Sequence, residues 1–376
     1  MISQRRQPGA ENAEGYRRVV GIGGIGSGIF FALDGNRTLG RDESRLGRLL
    51  DIRDYCKLHI ISHYVAKLLG ATPGGAFRVI PAGKVGDDGP GRQMIGEMAA
   101  AGMDTSRVEI VAGAPTLFSV CFQYPDGVGG NLTTSNSAAA QWSSADVDRL
   151  EGLFAEPAVA LAAPEVPLET RAHFVKMAGR HGAFRAASFA AAEVAAALEL
   201  GMFANLELVS LNEGEAAVLA GREFDAADPE SFLRACESRL AAAYPNLRVA
   251  VTAGSLGAFA FCKGAWDFCP APKVKVASTA GAGDALLAGL ITGVVAGLPF
   301  LRPDACLRRK TGAVLASALD LGVLLASYTV TSPHTIHPQA NRQTLLAFAA
   351  EMGLPLGQGI QRLLPVRGNS TSASQP

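Results

Sequence analysis

The sequence predicts an α/β fold in which helices cover a mostly parallel sheet. Short apolar segments typical of buried strands alternate with longer segments of helical period that are rich in Ala, Leu, Glu and Arg, which is the pattern of βαβ units. The chain has 376 residues, of which 48% are hydrophobic, so it is long enough to bury a large core. One domain over residues 16–364 is expected, between disordered polar tails at 1–15 and 365–376.

The predicted elements alternate along the chain between strand and helix. The strand candidates are 18–22, 77–82, 158–162, 206–210 and 247–252. The helix candidates are 91–101, 144–154, 213–220, 229–243, 285–296 and 303–319. The uncharged run 285–301 is shorter than the roughly 20 residues that a membrane helix needs, so it is predicted to be a buried core helix.

Two segments interrupt this alternation. Residues 116–124 have an extended pattern, Pro125-Asp126-Gly127 is typical of a hairpin turn, and 130–134 fits a returning strand. Residues 30–46 lack a helical period and contain the turn Asp34-Gly35-Asn36. We therefore expect the segments at about 26–50 and 112–135 to pair as a small lid over one edge of the main sheet.

Charge and cysteine content exclude several classes of protein. The 34 basic and 34 acidic residues cancel, so no overall field attracts nucleic acid or an anionic membrane. The N-terminal segment lacks the apolar core of a signal peptide, and the cysteines form no CxxC pair. These features predict buried thiols and a location in the reducing cytoplasm. The cysteines are at 56, 121, 236, 262, 269 and 306.

The motif with the clearest chemical meaning is Ser278-Thr279-Ala280-Gly281-Ala282-Gly283-Asp284, which an apolar helix follows directly. The two glycines allow a tight turn and leave bare amides at a helix N-terminus, where the helix dipole favours anions. Such amides suit the charge that develops in phosphoryl transfer, and Asp284 is placed to take the proton of an attacking hydroxyl. The alternative is a glycine-rich turn in which Asp284 only stabilises the helix start.

Two weaker motifs lie upstream of this turn. Asn212-Glu213-Gly214-Glu215 follows the strand at 206–210, at the sheet edge where open α/β folds bind ligands. Its oxygens suit hydrated Mg²⁺, although the same residues could simply cap a helix. Val251-Thr252-Ala253-Gly254-Ser255-Leu256-Gly257 is again a strand followed by a glycine turn, which could admit a nucleotide close to the backbone.

The order of these motifs resembles the ribokinase-like family of carbohydrate kinases, also called the PfkB family. Its members carry NxxE, VTxGxxG and DTxGAGD in this order, which correspond here to 212–215, 251–257 and 278–284. The segment 83–91 is similar to the family's GxVGxDxxG motif, and 101–106 is similar to its GVDTS motif. The likeness covers roughly residues 18–340.

The resemblance implies a ribokinase-like three-layer α/β/α sandwich with a central, mostly parallel sheet and a small β-sheet lid. It implies ATP-dependent phosphorylation of a hydroxyl on a small sugar-like acceptor, with a homodimer formed through the lids. The roles it implies are Asp284 as general base, Gly281, Ala282 and Gly283 as anion hole, Thr252, Gly254, Gly257 and Thr279 along ATP, and Asn212 and Glu215 near ATP and holding Mg²⁺ through water.

The chain departs from the family pattern at two places. Ser278 replaces the usual Asp that helps to hold a monovalent cation, so dependence on potassium is in doubt. The family's sugar-binding GG…N segment is absent, and residues 54–63 stand in its place, so the acceptor is expected to differ.

Cationic and polar side chains concentrate around the replaced segment. We hypothesise an anionic acceptor, such as a sugar phosphate or sugar acid, because arginine forks bind such groups in two-pronged fashion. The alternative is a solvated basic loop that Asp42, Glu43 and Asp51 neutralise. His59 and His63, at i and i+4, fit one helix face better than a metal pair. The candidate acceptor residues are Asn36, Arg41, Arg45, Lys57 and His63.

Two other functions compete with the kinase. Residues 21–26 contain GxGxxG after a strand, which is typical of NAD-dependent oxidoreductases, but the pattern that follows predicts no helix of useful length. A ribokinase-like ligand sensor or scaffold without turnover is the second alternative, because a fold does not by itself define a function. The altered acceptor segment favours the sensor, and the intact motifs at 212–215 and 281–284 oppose it.

Overall fold

A computed structural model describes residues 15–126, 129–241, 243–307 and 312–364 of the chain. Apart from Gly15, both predicted tails lie outside the described residues. The strands are β1 (Arg18–Ile22), β2 (Gly26–Leu33), β3 (Gly47–Tyr55), β4 (Arg78–Gly86), β5 (Arg107–Val111), β6 (Leu117–Gln123), β7 (Gly129–Thr133), β8 (Ala158–Ala162), β9 (Phe184–Ala187), β10 (Leu208–Leu211), β11 (Arg248–Thr252), β12 (Gly257–Cys262) and β13 (Ala265–Pro270).

The α-helices alternate with these strands over most of the chain. They are α1 (Lys57–Leu69), α2 (Gly89–Ala100), α3 (Ser144–Asp148), α4 (Leu168–Arg180), α5 (Val194–Glu199), α6 (Glu213–Ala220), α7 (Pro229–Ala241), α8 (Ala282–Val295), α9 (Ala318–Thr329), α10 (Arg342–Glu351) and α11 (Gln358–Leu363). All five predicted strands are present: 18–22 and 158–162 match the structure at both ends, and the ends of the other three differ by at most four residues.

The main sheet has nine strands in the order β13-β12-β11-β10-β9-β8-β1-β4-β5. All neighbours from β11 to β5 pair in parallel, and β12 and β13 add an antiparallel edge. Its central strands, such as β1 and β8, are fully buried because helices cover both faces, whereas the edge strands β5 and β13 are partly exposed. One core cluster includes residues of α1, α8 and α9, and the other includes residues of α4, α6 and α7. This architecture confirms the predicted three-layer α/β/α sandwich.

A second, four-stranded sheet has the order β3-β2-β6-β7. Its outer pairs are antiparallel, and β2 and β6 pair in parallel from Gly26 and Leu117 onward. The two segments predicted to form the lid therefore pair with each other. The strand β3 continues to Tyr55 and leads directly into α1, so the second sheet is joined to the start of a core helix.

Two predicted helices differ from the structure. The predicted helix at 144–154 divides into α3 and a 3₁₀ turn, Glu151–Phe154. The predicted helix at 303–319 is wrong over its described part, because α9 begins only at Ala318. There Ser317 Oγ accepts a hydrogen bond from Asp320 N at 3.2 Å, and Asp320 Oδ2 accepts one from Ser317 N at 3.1 Å. This reciprocal cap outweighs the helical propensity of the preceding residues.

The structure also bears on membrane insertion and disulfide bonding. Over the described ranges, every helix is too short or too polar to cross a bilayer. All six cysteines belong to these ranges, and no disulfide joins any of them. The chain therefore obtains its stability from its two apolar cores rather than from covalent cross-links.

Candidate active site

The predicted motifs meet at the carboxyl edge of the main sheet, where parallel strands end and helices begin. Asn212 follows β10, and Gly254 follows β11. A β-carbon at Gly254 would lie 3.7 Å from Glu213 Oε1, so the glycine turn and the acidic motif are direct neighbours. Open α/β sheets bind ligands at this edge. Motifs that are about 40 residues apart in the chain thus face one site.

The start of α8 presents several backbone amides, one of which, Ala282 N, donates to Thr279 O at 3.3 Å. Gly281 is its N-cap residue with φ 82°, and no side chain among the described residues caps this end. A β-carbon at Gly281 would overlap Thr335 O, so glycine is required for space as well as conformation. Gly283 is exposed and has no neighbouring atom within 4 Å of an added β-carbon. Uncapped amides at a helix start attract anions.

Asp284 lies in the first turn of α8, beside these amides. Burial raises the pKa of its carboxyl group to about 6; the Lys57 ammonium opposes this shift, and the Glu215 and Asp54 carboxylates add to it. A carboxylate with this pKa is ionised at neutral pH and is more basic than an exposed aspartate. Asp284 can therefore accept a proton.

Lys57 is the cation closest to this chemistry. It is the first residue of α1, and its Nζ lies 3.6 Å from Glu215 Oε1 and donates to Phe189 O at 3.1 Å. Burial alone would lower the pKa of Lys57, but the carboxylates of Asp284, Glu215 and Glu165 outweigh it and raise the pKa. Lys57 therefore stays charged among three carboxylates.

Asn212 and Glu215 form a complete capping box at the start of α6. Glu215 Oε2 accepts from Asn212 N and Glu215 Oε1 accepts from Asn212 Nδ2, both at 2.9 Å, while Asn212 Oδ1 accepts from Glu215 N at 2.8 Å. Both oxygens of Glu215 are thus engaged, so the residues fit a hydrated Mg²⁺ held through water better than a directly bound ion. In the described ranges, no three His, Cys, Asp or Glu side chains are arranged to hold a metal directly.

Three of the four other predicted nucleotide contacts border open space. Thr252 ends β11 and is partly exposed, and Gly254 and Thr279 are exposed. Gly257 differs, because it is buried at φ 123° and a β-carbon there would overlap Cys269 O. The role of Gly257 that the structure explains is the tight start of the β12–β13 hairpin.

The predicted acceptor residues do not all converge on Asp284. Lys57 is the one of the five whose charge acts on Asp284. Arg45 Nε donates to Glu43 Oε1 at 3.0 Å, and Asn36 Oδ1 accepts from Asp126 N at 3.1 Å. Arg41 is exposed, and burial lowers the pKa of His63 to about 3, so this imidazole is neutral. Glu43 pairs with both Arg37 and Arg45, so Arg45 is engaged by a carboxylate of its own loop.

Two carboxylates that the sequence did not single out belong to the site. Glu165 follows β8, adopts φ 74°, and has a buried Oε2 without a hydrogen-bond partner in the described ranges. Burial raises the pKa of Glu165 to about 7. Asp54, near the end of β3, accepts a hydrogen bond from Cys121 Sγ at 3.6 Å, and burial raises its pKa. Glu165 could have been found by the rule used for Asn212, because it also follows a parallel strand.

Open amides, a basic carboxylate and a buried lysine at one sheet edge are the parts that phosphoryl transfer to a hydroxyl requires. Residues 63–342 match the family described as pfkB family carbohydrate kinase. This match spans more than half of the chain, so the protein belongs to that family and is a carbohydrate kinase. No curated protein matches the sequence at a significant level.

Solved structures confirm the fold. The chain is similar to a ribokinase from Giardia lamblia, with 16% identity, a TM-score of 0.69, and coverage of 92% of this chain and 99% of the other. It is also similar to a ribokinase from Cryptococcus neoformans in complex with ADP, with 19% identity, a TM-score of 0.65, and coverage of 89% of this chain and 99% of the other. A nucleoside kinase from Burkholderia thailandensis in complex with inosine is similar with 15% identity, a TM-score of 0.65, and coverage of 90% of this chain and 99% of the other. At these identities the likeness extends to the fold alone.

Proposed function

We propose that the protein transfers the terminal phosphate of ATP to a hydroxyl of a small sugar-like acceptor, with Asp284 as general base. The observation that carries this proposal is the position of Asp284, a carboxylate of raised pKa in the first turn of a helix whose N-terminal amides are uncapped. The ADP complex of the Cryptococcus neoformans ribokinase supports an adenine nucleotide as donor.

The proposed reaction balances without a further co-reactant. The acceptor oxygen forms a bond to the γ-phosphorus while its proton moves to Asp284, and the bond from this phosphorus to the β,γ-bridging oxygen breaks to release ADP. The amides at Gly281, Ala282 and Gly283 and the ammonium of Lys57 stabilise the charge on the transferring group. Bound Mg²⁺, held through water by Asn212 and Glu215, would neutralise phosphate charge in addition.

The acceptor side is best explained by a neutral polyhydroxylated molecule. Asp54 and Glu165 are partly buried carboxylates. Asp54 raises the pKa of both Asp284 and Glu165, and Asp284 also raises the pKa of Glu165. Carboxylates accept hydrogen bonds from sugar hydroxyls, whereas they repel a phosphate or carboxylate on the acceptor. The inosine complex of the Burkholderia thailandensis nucleoside kinase shows that a protein of this fold binds a neutral ribosyl compound.

An anionic acceptor is the second candidate. It is favoured by the loop between β2 and β3, where Arg41 is exposed and has no ion pair with any described residue. We expect Arg41→Ala to raise KM for a sugar phosphate at least tenfold and to leave KM for the matching neutral sugar unchanged. If Arg41→Ala leaves KM for the sugar phosphate unchanged as well as KM for the neutral sugar, this candidate is removed.

The second sheet is proposed to act as a lid and as the contact surface of a homodimer. Three leucines on it or at its border are exposed, namely Leu46 by 89%, Leu49 by 60% and Leu132 by 75%. Apolar side chains that are this exposed on one small sheet favour contact with a second copy of the chain. Light scattering should give a dimer mass for wild type and a monomer mass for the double variant Leu49→Ser with Leu132→Ser. A monomer mass for wild type would contradict the proposal.

Residues 16–364 are proposed to form one kinase domain that works in the cytoplasm, because its six cysteines form no disulfide. The function is tested by an ATP-consumption screen over neutral sugars, sugar phosphates, sugar acids and nucleosides. The kinase function is supported if wild type consumes ATP with one of these acceptors and the variant Asp284→Asn does not. Ligand binding without turnover of any acceptor would favour the sensor, and binding of NADH in place of ATP would favour an oxidoreductase.

A further inference from the structure

A cleft of about 780 Å³ opens at the amino edge of the main sheet, away from Asp284. It lies where β1, β4 and β8 begin, so the five residues of β1 separate it from the carboxyl edge by on the order of 15 Å. We name it the arginine cleft, after Arg17, Arg18 and Arg78 in its wall. Neither the proposed reaction nor the second sheet uses these residues.

The strand register places two of the arginines side by side. Arg18 and Arg78 are direct partners on the parallel strands β1 and β4, so their side chains leave the sheet on the same face, about 5 Å apart at their origins. Adjacent like charges repel one another and are destabilising in a sheet. An anion between them would convert this repulsion into attraction.

The surrounding carboxylates only partly compensate this charge. Glu156, the one acidic residue of the cleft wall, pairs with Arg18, and Asp104 lies outside the wall with its Oδ2 3.7 Å from Arg78 Nη1. Arg17 lines the cleft and forms no ion pair with a described residue. With Asp104 counted, three guanidinium groups and two carboxylates leave a formal charge of +1 around the cleft.

One donor in the cleft is buried and unsatisfied. Arg18 is 6% exposed, and its Nε has no hydrogen-bond acceptor in the described ranges. A buried donor without an acceptor destabilises the fold, and an anion that reached this nitrogen would offset that cost. The rim contributes Gly74, where an added β-carbon would meet no atom within 4 Å, so a ligand can approach the backbone closely.

We propose that the arginine cleft is a second binding site, which takes a small molecule carrying a phosphate group. A phosphate monoester has a charge between about −1.5 and −2 at neutral pH, opposite in sign to the charge around the cleft, and its oxygens match the two-pronged donor geometry of guanidinium groups. The volume accommodates a sugar phosphate or a nucleoside monophosphate as well as inorganic phosphate. The site is independent of the proposed kinase reaction, and its ligand need not be a substrate.

The test is calorimetric titration of the full chain, with the catalytic site filled by a saturating non-hydrolysable ATP analogue and Mg²⁺. Three probes are titrated separately: inorganic phosphate, ribose 5-phosphate and AMP. We expect at least one to bind with a Kd below 1 mM, which corresponds to about −4 kcal/mol. The probe that binds most tightly identifies the source of the phosphate group, since the three differ only in what the phosphate carries.

The location is tested with the double variant Arg17→Gln with Arg78→Gln, which removes two cationic side chains but leaves buried Arg18 and its ion pair in place. It should weaken the tightest probe at least tenfold, whereas Arg239→Gln, an exposed arginine of α7, should bind as wild type does. Unchanged melting temperatures establish that both variants fold. No binding of any probe by wild type, or wild-type affinity in the double variant, overturns the proposal.

Discussion

The two edges of the main sheet carry opposite chemistry. At the carboxyl edge, Asp284, Glu165 and Glu215 surround Lys57, and part of the attraction for phosphate comes from backbone amides. At the amino edge, the arginine cleft presents guanidinium groups around one carboxylate. Helices that follow parallel strands begin at the carboxyl edge, so that edge has helix dipoles available and can use acidic side chains for proton transfer. The amino edge must attract anions with side chains.

The carboxyl edge is challenged most strongly by Asp284→Asn. Removal of the proton acceptor should lower kcat by about 10²–10⁴-fold, because general-base catalysis contributes that much. Nucleotide affinity should remain, since the amides of α8 are unchanged. Asp51→Asn, an exposed aspartate of β3, is the matched control and should keep wild-type kcat. Equal kcat in Asp284→Asn and Asp51→Asn would show that Asp284 is not the base.

The backbone contribution is separated from folding by two glycine variants. Gly281→Ala forces φ 82° on alanine and overlaps Thr335 O, so we expect loss of both stability and activity. Gly283→Ala meets no atom, so the melting temperature should be retained or rise, while the methyl group beside the anion hole should lower kcat by about tenfold or more. Full activity of Gly283→Ala would contradict an anion hole at this position.

The acceptor contact of the second sheet is tested by Asp54→Asn. The amide is neutral and accepts hydrogen bonds more weakly, so KM for the acceptor should rise about tenfold, equivalent to about 1.4 kcal/mol. KM for ATP and the melting temperature should stay unchanged, and Asp51→Asn again serves as control. A parallel rise in both KM values would indicate a general disturbance of the site instead of lost acceptor binding.

The pH dependence of kcat/KM should report the ionisation of Asp284. Its pKa is about 6 in the folded protein, and only the ionised form can accept the hydroxyl proton. Activity should therefore fall as pH decreases through about 6 and reach a plateau above it, while Lys57 stays charged over this range. A profile that is flat between pH 5 and pH 8, measured with stability confirmed at each pH, would exclude this assignment.

Glu165→Gln should give the smallest effect, on stability. The folded-state pKa of about 7 lies above the ordinary 4.5, so the neutral form is favoured by folding. That contribution is present below the unfolded pKa and is lost as pH rises from about 4.5 through 7. The neutral amide avoids this loss, so the variant should melt higher than wild type at pH 8 and close to it at pH 4.5. The reverse order at pH 8 would show that the ionised carboxylate is stabilised by its neighbours.

The sequence supported the catalytic motif because its meaning is local. Gly281, Gly283 and Asp284 are consecutive or nearly so, and the glycine turn, the helix start and the carboxylate belong to one short segment. The capping box of Asn212 and Glu215 is local as well. In the structure, the two residues proposed to hold Mg²⁺ also cap the start of α6. A short segment carries its geometry with it, so a pattern of residue types suffices to predict it.

The candidate acceptor residues are the opposite case, because their roles depend on what surrounds each side chain in the fold. Arg45 and His63 were grouped by closeness in the chain, yet Glu43 takes the charge of Arg45 and burial keeps His63 neutral. Glu165 was overlooked because it belongs to none of the three motifs, although it follows a parallel strand as Asn212 does. Partners of long side chains depend on which segments the fold brings together.

By itself the sequence determined the α/β class, the family and the glycine turn that starts α8, because periodicity and glycine placement act over a few residues. Only the tertiary structure decided which charges face Lys57 and which side of the sheet holds the arginine cleft. Those outcomes depend on burial and on contacts between distant segments, and the pKa of a carboxylate responds to its surroundings after folding instead of to its neighbours in the chain.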